Sequence, residues 1–277
     1  MMELNADFSK RVAVHAARLG WTASPMPGVE RRMLDRIGDE VARATSIVRY
    51  APNSHFSPHV HDEGEEFLVL EGVFQDEHGD FPAGSYIRNP PQSRHTPGSK
   101  TGCVLFVKLR QFDPADRTHV RSDTNRMPMV ALAGQHGREA VGLFRDERED
   151  VRLERWDRNV QVTLVPEGGI EILVLEGSFA EAGEIFSKHS WLRLPMGSRL
   201  VAKAGPGGLP GLDQRGSHET RKNGGRGALA AACQTRPRRS AKPIGKAVRG
   251  RVADSPKPLP HHHAQQRHRR NAARHGR

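Results

Sequence analysis

Short apolar runs broken by turn residues cover the first two hundred positions of the chain. They include RRMLDRI (31–37), ATSIVRY (44–50), EEFLVLEGVF (65–74), SYIRNP (85–90) and CVLFVKLRQF (103–112). VRLERW (151–156), VQVTLV (160–165), IEILVLEGSF (170–179) and SWLRLP (190–195) follow. Runs of this length, rich in β-branched and aromatic residues and bounded by Gly, Pro, Asn and Asp, predict strands of an antiparallel sandwich or barrel. Helical periodicity is weak. DFSKRVAVHAARL (7–19) reads as either a short helix or an arm packed on the body.

The pattern also repeats. Shifting the sequence by 105 positions lays Glu66 to Gly72 on Glu171 to Gly177, Phe74 on Phe179, Phe81 on Phe186 and Arg88 on Arg193. Over positions 66–94, 13 of 29 residues are identical without a gap. Self-similarity at a fixed period predicts two related domains in tandem.

The copies differ where chemistry is concentrated. The first has His59 and His61, one residue apart and so on one face of a strand, followed by Glu65 and Glu66; His95 comes after a Pro-rich turn. Two imidazoles on one face, a carboxylate and a third imidazole from a neighbouring strand can converge on one cation. Neutral imidazoles suit Zn, Fe, Ni or Cu, and the carboxylate keeps Fe(II) and Mn(II) open. In the second copy the corresponding residues are Leu164, Pro166, Ile170 and Leu200, whereas Glu171 stands in the place of Glu66. The glutamate that disappears with the histidines, Glu65, is the expected ligand, so the predicted metal set is His59, His61, Glu65 and His95.

These residues carry a resemblance. HVHDEGEEFLVLEG followed by GSYIRNPPQSRH resembles the two motifs of the cupin superfamily, His-x-His-x3-Glu-x6-Gly and Gly-x5-Pro-x-Gly-x2-His. His59, His61, Glu65 and Gly72 match the first; Gly84, Pro90 and His95 match the second, with Gln92 in place of its inner glycine and Ser99 in place of a terminal asparagine. Within cupins the likeness is to the cupin domain of zinc-binding anti-sigma factors of the ChrR type and to stand-alone double-cupin relatives. It extends over about residues 25–205 and implies an all-β, double-stranded β-helix (jelly-roll) fold holding one divalent metal ion, zinc or Fe(II), with Mn open. Residues 1–30 contain no cysteine. The zinc-binding domain with which such anti-sigma factors hold their sigma factor is therefore expected to be absent.

The expected organisation is an N-terminal arm (1–24) and a metal-binding cupin domain (25–113). A connector with the first strands of the second domain (114–150), a degenerate metal-free cupin domain (151–208) lacking its last strand, and a basic disordered tail (209–277) follow. Arg88, Arg193, Ser93, Arg94, Ser198 and Arg199 recur in both copies and read as architecture. Tyr86 aligns with Trp191 and reads as packing, His55 and His78 as surface residues, and Cys103 as a small buried hydrophobe. Phe67, Val69, Leu105 and Val107 are expected to line an apolar pocket.

Charge changes the picture only at the C-terminus. The net +11 divides into 17 Lys/Arg against 3 Asp/Glu from Pro206 onward, or +14, and 26 against 29 before it, or −3. Residues 206–277 contain no Phe, Trp or Tyr, too little apolar surface to order a segment. Two origins stand open: a native basic arm that contacts nucleic acid through phosphates, or a shifted reading frame. One permissible coding of Pro210 to His218, read a base later, gives Arg-Val-Trp-Ile-Lys-Glu-Gly-His, a strand like VLFVK of the first copy. The two cysteines, Cys103 and Cys233, form no disulfide framework, and no apolar run reaches the roughly 20 residues that span a bilayer. The chain is read as a cytoplasmic protein whose partners are a small molecule, a second copy in a homodimer, and nucleic acid only if the tail is native. Two functions compete: a metal-dependent binder or sensor of a small ligand, and an Fe(II)-dependent cupin dioxygenase.

Overall fold

The computed structural model describes residues 1–208 and the backbone of strand Ala228–Thr235. The remainder of the 209–277 tail, with the expectations attached to it, lies outside the described residues. Among the described residues the only helical elements are 3-10 turns at Ala16–Arg18 and Thr124–Arg126. None is long and apolar enough to cross a membrane. The 7–19 segment is thus an arm, with strand Val12–His15 at its centre.

Each half is built on a large antiparallel sheet with the same order. In the first, Val29–Ile37, Arg43–Tyr50, Cys103–Leu109, Glu65–Asp76, Ser85–Asn89 and Val120–Asp123 lie side by side. In the second the order is Arg138–Arg145, Asp150–Trp156, Ala228–Thr235, Ile170–Val174, Ser190–Leu194 and Val12–His15. A smaller sheet closes each barrel: His59–His61 with Ser93–His95 in the first half, and Gln161–Leu164, Leu200–Ala204, Ser178–Glu181 and Glu184–Ser187 in the second.

The last strand of each large sheet belongs by sequence to the other half. Val12 pairs with Arg193 and His15 with Ser190; Val120 pairs with Arg88 and Asp123 with Ser85. The halves therefore exchange their first strands reciprocally. Each exchange covers an edge that would otherwise present unpaired backbone groups.

Alternation along the central strand sends neighbouring residues to different cores. Phe67 and Val69 pack inside the first barrel with Phe74, Ile87, Leu105 and Val107. Leu68 joins Tyr86 and Leu143, Leu153, Ile172 and Leu192 between the halves, where each buried leucine or isoleucine contributes about 1.5–3 kcal/mol.

Charges are also buried between the halves, and they are paired. Arg193, 3% exposed, donates to Asp35 at 2.9 Å and to the carbonyls of Asn5 (2.6 Å) and Asp7 (3.1 Å), beneath the Phe8 ring. Arg88, fully buried, meets Asp116 and Glu149 and lies between the rings of Phe112 and Phe144. Lys108 meets Glu171. Arg88 and Arg193, a pair that the repeat preserves, thus tie each half to elements beyond its own barrel.

One expectation is corrected. The second barrel does not end with an open slot: Ala228–Thr235 lies between Asp150–Trp156 and Ile170–Val174, the place Cys103–Leu109 holds in the first sheet. Sequence directly after Gly208 offers no strand, but the uncharged ALAAACQT stretch can occupy a central position that Arg-rich segments cannot. The neighbouring strands' hydrogen-bonding groups require some strand there.

Candidate metal centre

His59 and His61 lie on a three-residue strand whose pleat turns both to one side. Its partner strand, Ser93–His95, places His95 directly opposite His59. The turn between the motif's proline and that strand has Gln92 at φ +70°, and its amide donates to the His61 carbonyl at 2.8 Å. The second copy has Gly197 there, at φ +76°, so the backbone shape of the motif persists although its glycine does not. At Gly72 no substitute fits: a Cβ would stand 2.1 Å from the Gly102 carbonyl oxygen.

Ring nitrogens of His59, His61 and His95 lie within 4.8 Å of one another. His61 Nε2 and His95 Nε2 are 3.0 Å apart, and Glu65 Oε2 lies 3.3 Å from the first and 3.6 Å from the second. Ligand atoms at about 2.0–2.2 Å from one cation stand roughly 3.0–3.5 Å apart; this donor set fits a divalent ion. Glu66, the neighbouring carboxylate, points to the opposite face, toward the layer between the halves, where it is buried beside Tyr86 and Lys108.

The outer contacts set the nitrogen tautomers. His59 Nδ1 is 3.1 Å from the Ser57 carbonyl, which can only accept, so Nδ1 carries the proton and Nε2 keeps its lone pair. His95 Nδ1 faces Asp76 Oδ2 at 3.4 Å, with the same consequence. Burial holds His61 below the usual imidazole pKa, opposed by Glu65 and aided by His95 and His59, which keeps it a neutral donor. Burial acts on His95 too, but Asp76 and Glu65 outweigh it and raise its pKa. Asn89 Nδ2 approaches Glu65 Oε2 at 3.4 Å.

The site opens onto a cavity of about 380 Å³ lined by Tyr50, Phe56, Leu105, Val107 and Leu109 with His59, His61 and Glu65. Of the four residues expected to line it, Leu105 and Val107 do so; Phe67 and Val69 belong to the core behind. His55 and His78 are exposed. Cys103 is buried, which pushes its thiol up to about 11 and leaves no thiolate for nucleophilic work. In the second barrel the corresponding space is filled: Ile170 and Leu200 are core residues with Trp156, Phe179 and Phe186. Sequence reading missed Asp76, Asn89 and Tyr50. Asp76 sits in a polar turn sequence, QDEHGD, without motif spacing, so only the fold brings it under His95.

Comparison with known proteins agrees with this architecture. Residues 9–113 match the family described as the ChrR cupin-like domain. No curated protein matches the sequence. A candidate dioxygenase from Nostoc punctiforme superposes with a TM-score of 0.62 at 14% identity, covering 83% of each chain. The nickel(II) complex of the pirin YhhW from Escherichia coli gives 0.54 at 14% identity, over 82% of this chain and 100% of that one. A cupin 2 conserved barrel domain protein from Leptotrichia buccalis gives 0.50 at 10% identity, over 85% and 99%. Residues 9–113 thus match the ChrR cupin-like domain family, and the described chain has the all-β cupin fold of these structures.

Proposed function

We propose that the first barrel holds one divalent metal ion through His59, His61, Glu65 and His95, and that the protein is a metal-dependent binder or sensor of a small organic molecule. The observation that carries this reading is the convergence of His61 Nε2, His95 Nε2 and Glu65 Oε2 within 3.6 Å of one another, with His59 alongside, on the wall of a cavity. Two imidazole nitrogens have no reason to face each other at 3.0 Å without a proton or a cation between them. Zinc and Fe(II) both suit the donors, and Mn(II) is compatible with the carboxylate.

When bound, such an ion supplies Lewis acidity and, as Fe(II), redox chemistry toward oxygen. The chain's own residues do the rest. Asp76 and the Ser57 carbonyl hold two imidazoles in the liganding tautomer. Burial, with Glu65 adding to it, raises the Tyr50 phenol far above its usual pKa, so it stays a neutral donor at the cavity wall. Val48, Leu105, Val107 and Leu109 exclude water.

A second reading, an Fe(II)-dependent dioxygenase, gains from the likeness to the Nostoc punctiforme protein, which is described as a candidate dioxygenase. Metal analysis joined to oxygen-uptake assays on a panel of diketones, thiols and small acids separates the two. Iron with turnover establishes the dioxygenase; zinc without turnover establishes the binder. The absence of a disulfide framework in the sequence suits a cytoplasmic setting. Contacts with nucleic acid would fall to the basic tail, and a homodimer remains part of the same proposal.

A further inference from the structure

One extra residue places two arginines in the wall of the metal-side cavity. Strand Val29–Ile37 runs beside Arg43–Tyr50 with Val29 opposite Tyr50 and Arg31 opposite Val48, then slips between Met33 and Asp35, so that Arg36 comes opposite Ala44. A bulge exchanges the faces of everything beyond it. Arg31 before the slip and Arg36 after it both line the cavity, while Asp35 turns outward to Arg193.

The two arginines are differently committed. Arg36 is 3% exposed and is taken up by the backbone: Nε donates to the Gly38 carbonyl at 3.2 Å, and Nη2 to the carbonyls of Asp39 and, at 3.5 Å, Glu40. Arg31 has a 3.4 Å contact from Nη2 to the exposed Glu40, and its Nε is shielded from water with no hydrogen-bond partner. A buried guanidinium N–H without an acceptor is unfavourable. Its complement is a carboxylate oxyanion, which a guanidinium takes through two neighbouring N–H groups once the side chain turns its shielded edge to the cavity. A phosphate is the poorer fit, because Arg36 Nε and Nη2 are already taken by backbone carbonyls and Val48, Leu105, Val107 and Leu109 would face its remaining oxygens.

We infer that this cavity takes a small organic monocarboxylate, its carboxylate on Arg31 and its short apolar body against the valine and leucine wall. This names the ligand class of the proposed metal-dependent binder and rests on that reading. The assignment is tested on the full-length, metal-loaded protein by calorimetric titration with acetate, butyrate and hexanoate, and with butyramide, which has butyrate's shape without its charge. Wild type binds at least one carboxylate, prefers butyrate to butyramide by about tenfold or more, and loses that preference in Arg31→Gln. Arg31→Lys keeps the charge without the fork and retains part of it, while both variants keep the wild-type metal content. Binding of no carboxylate, equal binding of butyrate and butyramide, or an unchanged preference in Arg31→Gln would overturn the inference. Metal content separates the two readings: a protein that takes up no metal yet shows the Arg31-dependent preference sinks the metal centre and leaves the carboxylate site standing.

Discussion

Glu65 and Glu66 are adjacent and chemically identical, yet the pleat gives them opposite fates. Glu65 faces three imidazoles; Glu66 enters the buried layer between the halves. This much was legible in the sequence, because the copy without the histidines retains Glu171 in the place of Glu66 but has Ile170 in the place of Glu65. What was not legible is how Glu66 titrates. Burial first, and then the charge of Glu149, push it up to about 7 against the pull of Arg88 and Lys108. The folded state therefore holds this proton more tightly than the unfolded one, so Glu66's contribution to stability is full below the ordinary glutamate value and is lost as pH rises to about 7. Glu66→Gln removes that loss: its thermal midpoint relative to wild type should be higher at about pH 8 than at about pH 5. An unchanged difference would show that Glu66 does not titrate there. Asp76 is the residue-scale feature that no spacing announced. If it holds His95 in the liganding tautomer, Asp76→Ala should weaken metal binding roughly tenfold to hundredfold with the fold intact, as read by competition with a metal chelator.

At the scale of elements, the apolar runs located the strands well and their partners poorly. EEFLVLEG and its copy were visible as strands, whereas VAVH (12–15) has too few residues to declare which sheet it joins. That it joins the other half depends on contacts far along the chain: Asn5, Asp7, Phe8 and Asp35 all meet Arg193. The bulge in Val29–Ile37 was likewise hidden, since alternation assigns Asp35 and Arg36 the wrong faces until the slip is known. Arg193 and Asp35 are both buried and paired, so Asp35→Ala leaves a charge with only carbonyl partners and should cost about 3–5 kcal/mol. Urea unfolding measures this; a cost below about 1 kcal/mol, as for a surface pair, would mean the layer between the halves is wetter than described.

For the whole molecule, the repeat foretold two barrels with different interiors: one keeps polar side chains around a cavity, the other fills the same space with Ile170, Leu200 and aromatic rings. It did not foretell that the second sheet is completed by Ala228–Thr235, because the strand lies well beyond the point where the repeat breaks. Ending the chain after Gly208 should therefore expose the edges of Asp150–Trp156 and Ile170–Val174 and lower solubility. Light scattering of the truncated protein would check this, and a monodisperse product of wild-type stability would contradict it. The exchanged first strands make the halves mutually dependent, so the first barrel is best studied in the intact chain. The central claim concerns that barrel, and elemental analysis of the full-length protein purified without added metal tests it most directly. The account predicts about one divalent ion per chain in the wild type and its loss in a folded His61→Ala variant. Metal content that is the same in wild type and His61→Ala would contradict it.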